Sequence, residues 1–193
     1  MRLNARRDNP SRLAEVRQIA LVPVLSALIV GSDFALAPYV DVKLLDVVVF
    51  SAAFLFGFRL GAVVAIISEG AWSFVSPWGF AGPIMPFLIG GELVFAAAGW
   101  WASKVWSDRS KVAQNSIFIA ALMLICAFAW DFETNLATAF IASWPGTTLP
   151  IVVAWQISGI PFSIIHEAAD FLLGLFFAPA AILLMPRLMK GGS

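Results

Sequence analysis

The stretch Gly57-Phe58-Arg59-Leu60-Gly61 decides how the chain is read. Two glycines bracket an arginine, and apolar residues run away from it on both sides, over 47–58 and 60–68. Such a pattern makes a tight hairpin between two apolar helices, with the guanidinium snorkelling to a headgroup layer. Working outward, residues 70–91, 112–130, 134–165 and 171–186 contain no Asp, Glu, Lys or Arg, and shorter apolar runs occupy 18–32 and 93–103. A helix needs roughly 20 residues to cross about 30 Å of hydrocarbon. Ser76-Pro77-Trp78-Gly79-Phe80-Ala81-Gly82-Pro83 and Trp144-Pro145-Gly146-Thr147-Thr148-Leu149-Pro150 are the other strong breakers. They divide the chain into six spans near 17–37, 44–58, 60–77, 84–104, 113–142 and 159–187. Residues 151–158 are apolar but too short to span, and read as a half-buried return segment; the rival is a longer fifth or sixth helix.

Composition agrees. The 193 residues are 61% hydrophobic and 12% charged, against about 45–50% and about 25% in soluble domains. This excludes an ordinary cytosolic globule, a disordered chain and a basic nucleic-acid binder. The single Cys126 excludes an internal disulfide or a multi-cysteine zinc site.

Charge placement orients the bundle. With six spans both termini share a side, which collects Arg2, Arg6, Arg7, Arg12, Arg17, Arg59, Lys104, Arg109, Lys111, Arg187 and Lys190, leaving only Lys43 opposite. The positive-inside rule makes that side cytoplasmic. The expectation is an all-α integral membrane protein of the plasma or inner membrane, a compact six-transmembrane-helix bundle with both termini cytoplasmic. A cytoplasmic segment (1–16) precedes the membrane domain (17–187), and a short tail (188–193) follows it. The N-terminal segment lacks the small-residue cleavage site of a signal peptide. Trp100, Trp101 and Trp106 read as an inner aromatic belt.

The acids lie the other way. Asp33, Asp41, Asp46, Glu69, Glu92, Asp131, Glu133, Glu167 and Asp170 all fall in outer loops or outer helix halves. A carboxylate at a helix centre costs roughly 2.5–3.5 kcal/mol on insertion scales, so several in one leaflet imply a water-accessible cavity. The competing reading is that some, notably Asp33, Asp46 and Glu133, cap helices or snorkel. Helical spacing groups Asp131 with Asn135, Thr134 adjoining, and His166 with Asp170 and Phe162. Glu69, Trp72, Ser73 and Ser76 form a third polar stripe. A pocket where these stripes meet offers carboxylates, an amide, an imidazole and an indole face. Against this, a lone histidine is often structural, and Trp78, Trp130, Trp144 and Trp155 also suit an outer aromatic belt.

Several chemistries are missing. No phosphate-binding Gly-x-x-x-x-Gly-Lys-Ser/Thr loop, nucleophile elbow or two-histidine zinc motif occurs. The sequence assigns no catalytic residue and no cofactor. One histidine without a cysteine pair argues against a transition metal, while a carboxylate site for a hard cation stays open.

Val42-Lys43-Leu44-Leu45-Asp46, the Phe56–Ala62 hairpin, Trp72 with Ser76-Pro77-Trp78-Gly79, Asp131-Phe132-Glu133-Thr134-Asn135, and Gly159-Ile160-Pro161-Phe162 before His166-Glu167 follow one another in order. Together they resemble the S components of energy-coupling factor (ECF) transporters, six-helix membrane subunits that capture vitamins. The resemblance covers most of 17–187. It implies a vitamin-like small molecule taken from outside, with a membrane T component and two ABC ATPases as partners that supply the energy. It also implies a pocket near the outer surface under the loops after spans one, three and five. Glu69, Trp72, Trp78, Glu92, Asp131, Thr134, Asn135, Phe162, His166 and Asp170 are the candidate binding residues. Asp41, Lys43, Asp46 and Trp144 are the candidate outer gate. The family docks span one through alanines spaced as Ala-x-x-x-Ala. Here Ala20 pairs with Val24 instead, and Ala27-x-x-x-Gly31 is the nearest small pair.

An outer half so acidic favours a cationic or neutral ligand. A tryptophan beside a carboxylate suits a flat nitrogen heterocycle of the thiamine kind, while a bulky neutral cobalamin remains open. The runner-up is a proton- or cation-coupled secondary carrier with Asp131, His166 and Asp170 as relay. A membrane enzyme or assembly factor comes third.

Overall fold

The computed structural model describes residues 10–108 and 111–190, and among these it is entirely helical, without strands. The expected segment 1–16 falls outside the described residues over 1–9, as do Arg109 and residues 191–193 of the expected tail. The helices are α1 (Pro10–Leu36), α2 (Leu45–Phe56), α3 (Phe58–Val75), α4 (Met85–Val105), α5 (Ser116–Ser143), α6 (Leu149–Leu172) and α7 (Ala178–Lys190). A π-turn, Leu173–Phe177, joins α6 to α7 without a break. Five helical stretches are long and apolar enough to cross a membrane.

The hairpin at Gly57 forms as the sequence suggests. Gly57 adopts φ 94° and ψ 163°, in the region that glycine enters without a Cβ clash. Its N–H donates to the Ala53 carbonyl at 2.9 Å, closing α2 before α3 starts at the next residue. The two helices run back antiparallel, and Asp46 and Glu69, at nearly equal distance from Gly57 along the chain, come to similar depth.

Two points sharpen: the second helix lies within two residues of the expected span 44–58 at either end but is short, and of the two readings of 151–158 the longer sixth helix holds. The second span is only 12 residues long, about 18 Å at 1.5 Å per residue, and cannot cross hydrocarbon alone. Ten of those residues are buried, because α2 is wrapped by α3, α4, α1 and α7 rather than by lipid. The connection 37–44 carries the chain the rest of the way into the bundle. Nor is 151–158 a return segment: it is the beginning of α6, which runs unbroken through Pro161. Pro150 sits in the first turn of α6, where a missing N–H costs no hydrogen bond.

The core gathers around α2. Leu45, Val47, Val49 and Phe50 have no exposed surface, and Phe95 of α4 with Ile119 and Met123 of α5 belong to the same buried cluster. Apolar side chains gain little by leaving lipid for protein, so close backbone approach must hold membrane helices together. Gly99 shows this. A Cβ there would lie 2.1 Å from the Phe50 carbonyl oxygen, so only glycine lets α4 come that near to α2. The outer surface is the reverse: Val24, Leu28, Phe74, Phe118, Phe128 and Phe176 point outward, a lipid-facing girdle.

Gly99→Ala is expected to destabilise the bundle by about 1–3 kcal/mol through overpacking, whereas Gly31→Ala, with nothing within 4 Å of its added methyl, leaves stability unchanged. Thermal unfolding of the two variants in detergent checks this; equal midpoints would mean that the α2–α4 contact is not tight.

Candidate binding chamber and buried charge cluster

Opposite the Gly57 hairpin, the end of the bundle holds a cavity of about 490 Å³. The last turns of α1, the connection 37–44, the end of α3 and the loop 76–81 form its walls, with Leu88 of α4 and Phe162 of α6. Its volume lies in the range of small-molecule sites, about 300–1,000 Å³.

Each wall brings a definable group. Glu69 is 1% exposed and accepts a hydrogen bond from the Ser73 hydroxyl at 3.2 Å, one helical turn away. Trp72, three residues on, lies on the same face and meets Phe34 of α1 edge to face, with centroids 5.2 Å apart. Asp33, in the last turns of α1, accepts the Leu44 N–H at 3.0 Å and so ties down the connection. In that connection Asp41 stands in the left-handed region, at φ 58°. Burial raises the Asp41 carboxyl above its ordinary range, in spite of Lys43 nearby.

Lys43 joins this cavity to a second polar region. Its ammonium stands 4.3 Å from the Trp130 ring centroid, a cation–π distance. Burial works against its charge, but Asp46, Glu69, Glu92 and Asp41 outweigh that and hold the ammonium more firmly protonated than a free lysine. Trp130 donates its indole N–H to the Leu88 carbonyl at 3.3 Å and meets His166 edge-on at 5.1 Å. On the far side of that ring lies the buried cluster.

There α2, α5 and α6 converge. His166 Nδ1 is 3.2 Å from Asp131 Oδ2. His166 Nε2 is 3.6 Å from Asp46 Oδ2 and 3.8 Å from Asp170 Oδ2, beyond hydrogen-bond length. His166 and Asp170 are 1% exposed and Asp46 not at all. Glu92 of α4 is fully buried next to Asp46, and neither of its carboxylate oxygens has a hydrogen-bond partner.

The candidate residues therefore part into two groups. Glu69, Trp72, Trp78, Phe162, Asp41 and Lys43 line the cavity. Asp131, His166, Asp170 and Asp46 form the cluster behind it, Glu92 beside them; Asp46, read as part of the gate, lies deep inside. Thr134 turns its hydroxyl to the Trp130 and Asp131 carbonyls of its own helix, at 2.9 and 3.2 Å. Asn135 packs against Gly159 at the α5–α6 contact. Trp144 is 77% exposed and lines neither. Ala20, Ala27 and Gly31 sit exposed on α1. Ser73 and Ser76, read as part of the α3 stripe, also line the cavity, whereas sequence reasoning did not select Tyr39 or Phe80 and left Asp33 open between capping and the cavity; an acid following the uncharged run 18–32 was the available signal for Asp33.

Comparison of the chain with known protein families, with curated proteins and with solved structures finds no match, and none identifies an ECF subunit. What fold and site define is a helical, membrane-embedded protein with a chamber walled by aromatic, apolar and acidic side chains at one end and a buried histidine–carboxyl cluster inside.

Lys43 is the basic side chain shared by both regions, so Lys43→Met leaves buried carboxylates uncompensated. A loss of about 1–3 kcal/mol is expected, read as a lower unfolding midpoint in detergent. An unchanged midpoint would show that the acids do not depend on the ammonium.

Proposed function

We propose that this protein captures a small, flat, cationic or neutral molecule from outside the cell, in the manner of the S components it resembles. The observation that carries the reading is the cavity itself, whose wall brings the Trp72 indole together with the carboxyl groups of Glu69, Asp33 and Asp41. A nitrogen heterocycle of vitamin type suits such walls, because stacking and cation–π attraction act together with carboxylate hydrogen bonds. The bias of basic residues along the sequence supports an outward-facing cavity with both termini in the cytoplasm, in a cell membrane. Energy for uptake then comes from partner subunits, a membrane T component with two ABC ATPases. Ala20, Ala27 and Gly31 support that division of labour, since all three are exposed on α1 and the Ala27–Gly31 pair, with Val24 interrupting the run towards Ala20, lets a second membrane helix approach closely.

A coupled secondary carrier is the second reading, favoured by one feature. Asp131, His166, Asp46 and Asp170 form a chain of titratable groups inside the bundle, of the kind that moves protons or cations. It predicts uptake without ATPases that stops when the ion gradient is dissipated.

Screening purified protein against vitamins and their heterocyclic precursors by thermal shift should find a stabilising ligand. Trp72→Ala is expected to weaken its binding about tenfold, from the loss of about 1–2 kcal/mol of ring contact, while the variant still folds. Wild-type affinity in that variant would remove Trp72 from the site. Ala27→Leu should abolish uptake by the assembled transporter in cells yet leave ligand binding by the isolated chain intact; unimpaired uptake would exclude that pair as the docking face.

A further inference from the structure

Inside the bundle, Asp46 of α2 with His166 and Asp170 of α6 bring one imidazole nitrogen and two carboxylate oxygens within 4.8 Å of one another. We infer that these three side chains bind a divalent first-row transition cation, of the zinc or manganese kind, with Asp131 as the group that orients His166. The inference goes beyond the capture reading and does not depend on it.

The first argument is the direction of the imidazole. Nδ1 stands 3.2 Å from Asp131 Oδ2; a neutral imidazole that donates its Nδ1–H there presents the Nε2 lone pair on the other side. A carboxylate behind a histidine is the usual support of a metal-bound imidazole, since it fixes both tautomer and ring plane. Nε2 itself is buried without a hydrogen-bond partner and faces Asp46 and Asp170.

Spacing is the second argument. At 3.6 and 3.8 Å, the Nε2–oxygen distances are too long for hydrogen bonds. They come near the ligand-to-ligand edge of a tetrahedral site, about 3.4 Å for bonds of about 2.0–2.2 Å. A cation between these atoms satisfies Nε2 and both carboxylates at once.

Orphaned oxygens supply the third. Both oxygens of Asp46 and both of Asp170 lack hydrogen-bond partners, although these residues are 0% and 1% exposed. Lys43, the one ammonium described near the cluster, is held against Trp130 and divided among Asp46, Glu69, Glu92 and Asp41, so a single positive charge faces four carboxyl groups before Asp170 is reached. A 2+ ion balances the two ligand carboxylates. Glu92, which neighbours Asp46 with both oxygens unpartnered, or a water can complete the coordination. One nitrogen and two oxygens without a thiolate suit zinc or manganese rather than copper(I).

The test uses the full chain in detergent, stripped with a chelator and titrated with Co²⁺ as a spectroscopic probe, then with Zn²⁺ as competitor. One equivalent of Co²⁺ should give a visible ligand-field band that Zn²⁺ abolishes. His166→Gln and Asp170→Asn should lower affinity at least 100-fold, and Asp131→Asn about 10–100-fold with a shifted band. Glu133→Gln, an acid of α5 outside the cluster, should bind as the wild type does. A wild-type chain that takes up neither ion in equilibrium dialysis overturns the inference, even where variants fail to fold; His166 is then a charged counter-ion to the three aspartates. Wild-type affinity in folded His166→Gln or Asp170→Asn overturns it as well. Thermal shifts by organic ligands report on the separate cavity, so either site can fail without the other.

Discussion

Among the described residues six carboxyl groups lie buried, on Asp33, Asp46, Glu69, Glu92, Asp131 and Asp170, and the rest of the structure depends on keeping them tolerable. Lipid offers them no hydrogen bonds, and an isolated buried carboxylate is among the costliest groups a protein can hold. The bundle answers by turning every one of them inward and placing them around the Lys43 ammonium and the His166 imidazole. Lys43 serves the group nearer the cavity, and His166 the group behind it. Trp130 stands between, touching both.

That arrangement explains the unusual second helix. A full-length α2 would start at the level of α1's end and leave no room for a loop inside the bundle. Being only 12 residues long, it starts near the depth of Glu69 and lets the connection 37–44 dip down with Lys43 at its tip. The Leu44 N–H, held by Asp33, anchors the descent. The same loop becomes one wall of the cavity, so the element that neutralises the buried acids also shapes the chamber. Tight packing at Gly99 and around Phe50 keeps α2 in place beneath it.

Much of this was legible beforehand because the bilayer imposes simple rules. Uncharged runs marked the long helices, and the Gly57–Gly61 segment marked the hairpin, since helix length and glycine chemistry are local properties. The polar stripes on α3, α5 and α6 were also visible, because spacing fixes which side chains share a face. What spacing cannot fix is the neighbour that each face meets. The α3 stripe lines the cavity, whereas the α5 and α6 stripes turn to one another and to Asp46. Pro150 misled for a related reason: a proline reads as a stop, yet it is equally at home in the first turn of a helix. The depth of α2 depended on the whole packing and had no local signature.

The central proposal is that the chamber opens to the outside of the cell. It is tested most directly by a single thiol at Ser76, a half-buried residue of the cavity wall, with the buried Cys126 replaced by alanine. The account predicts that a membrane-impermeant maleimide labels this Ser76→Cys protein on intact cells, and that a ligand filling the cavity slows the reaction. Labelling only after the cells are opened would contradict it.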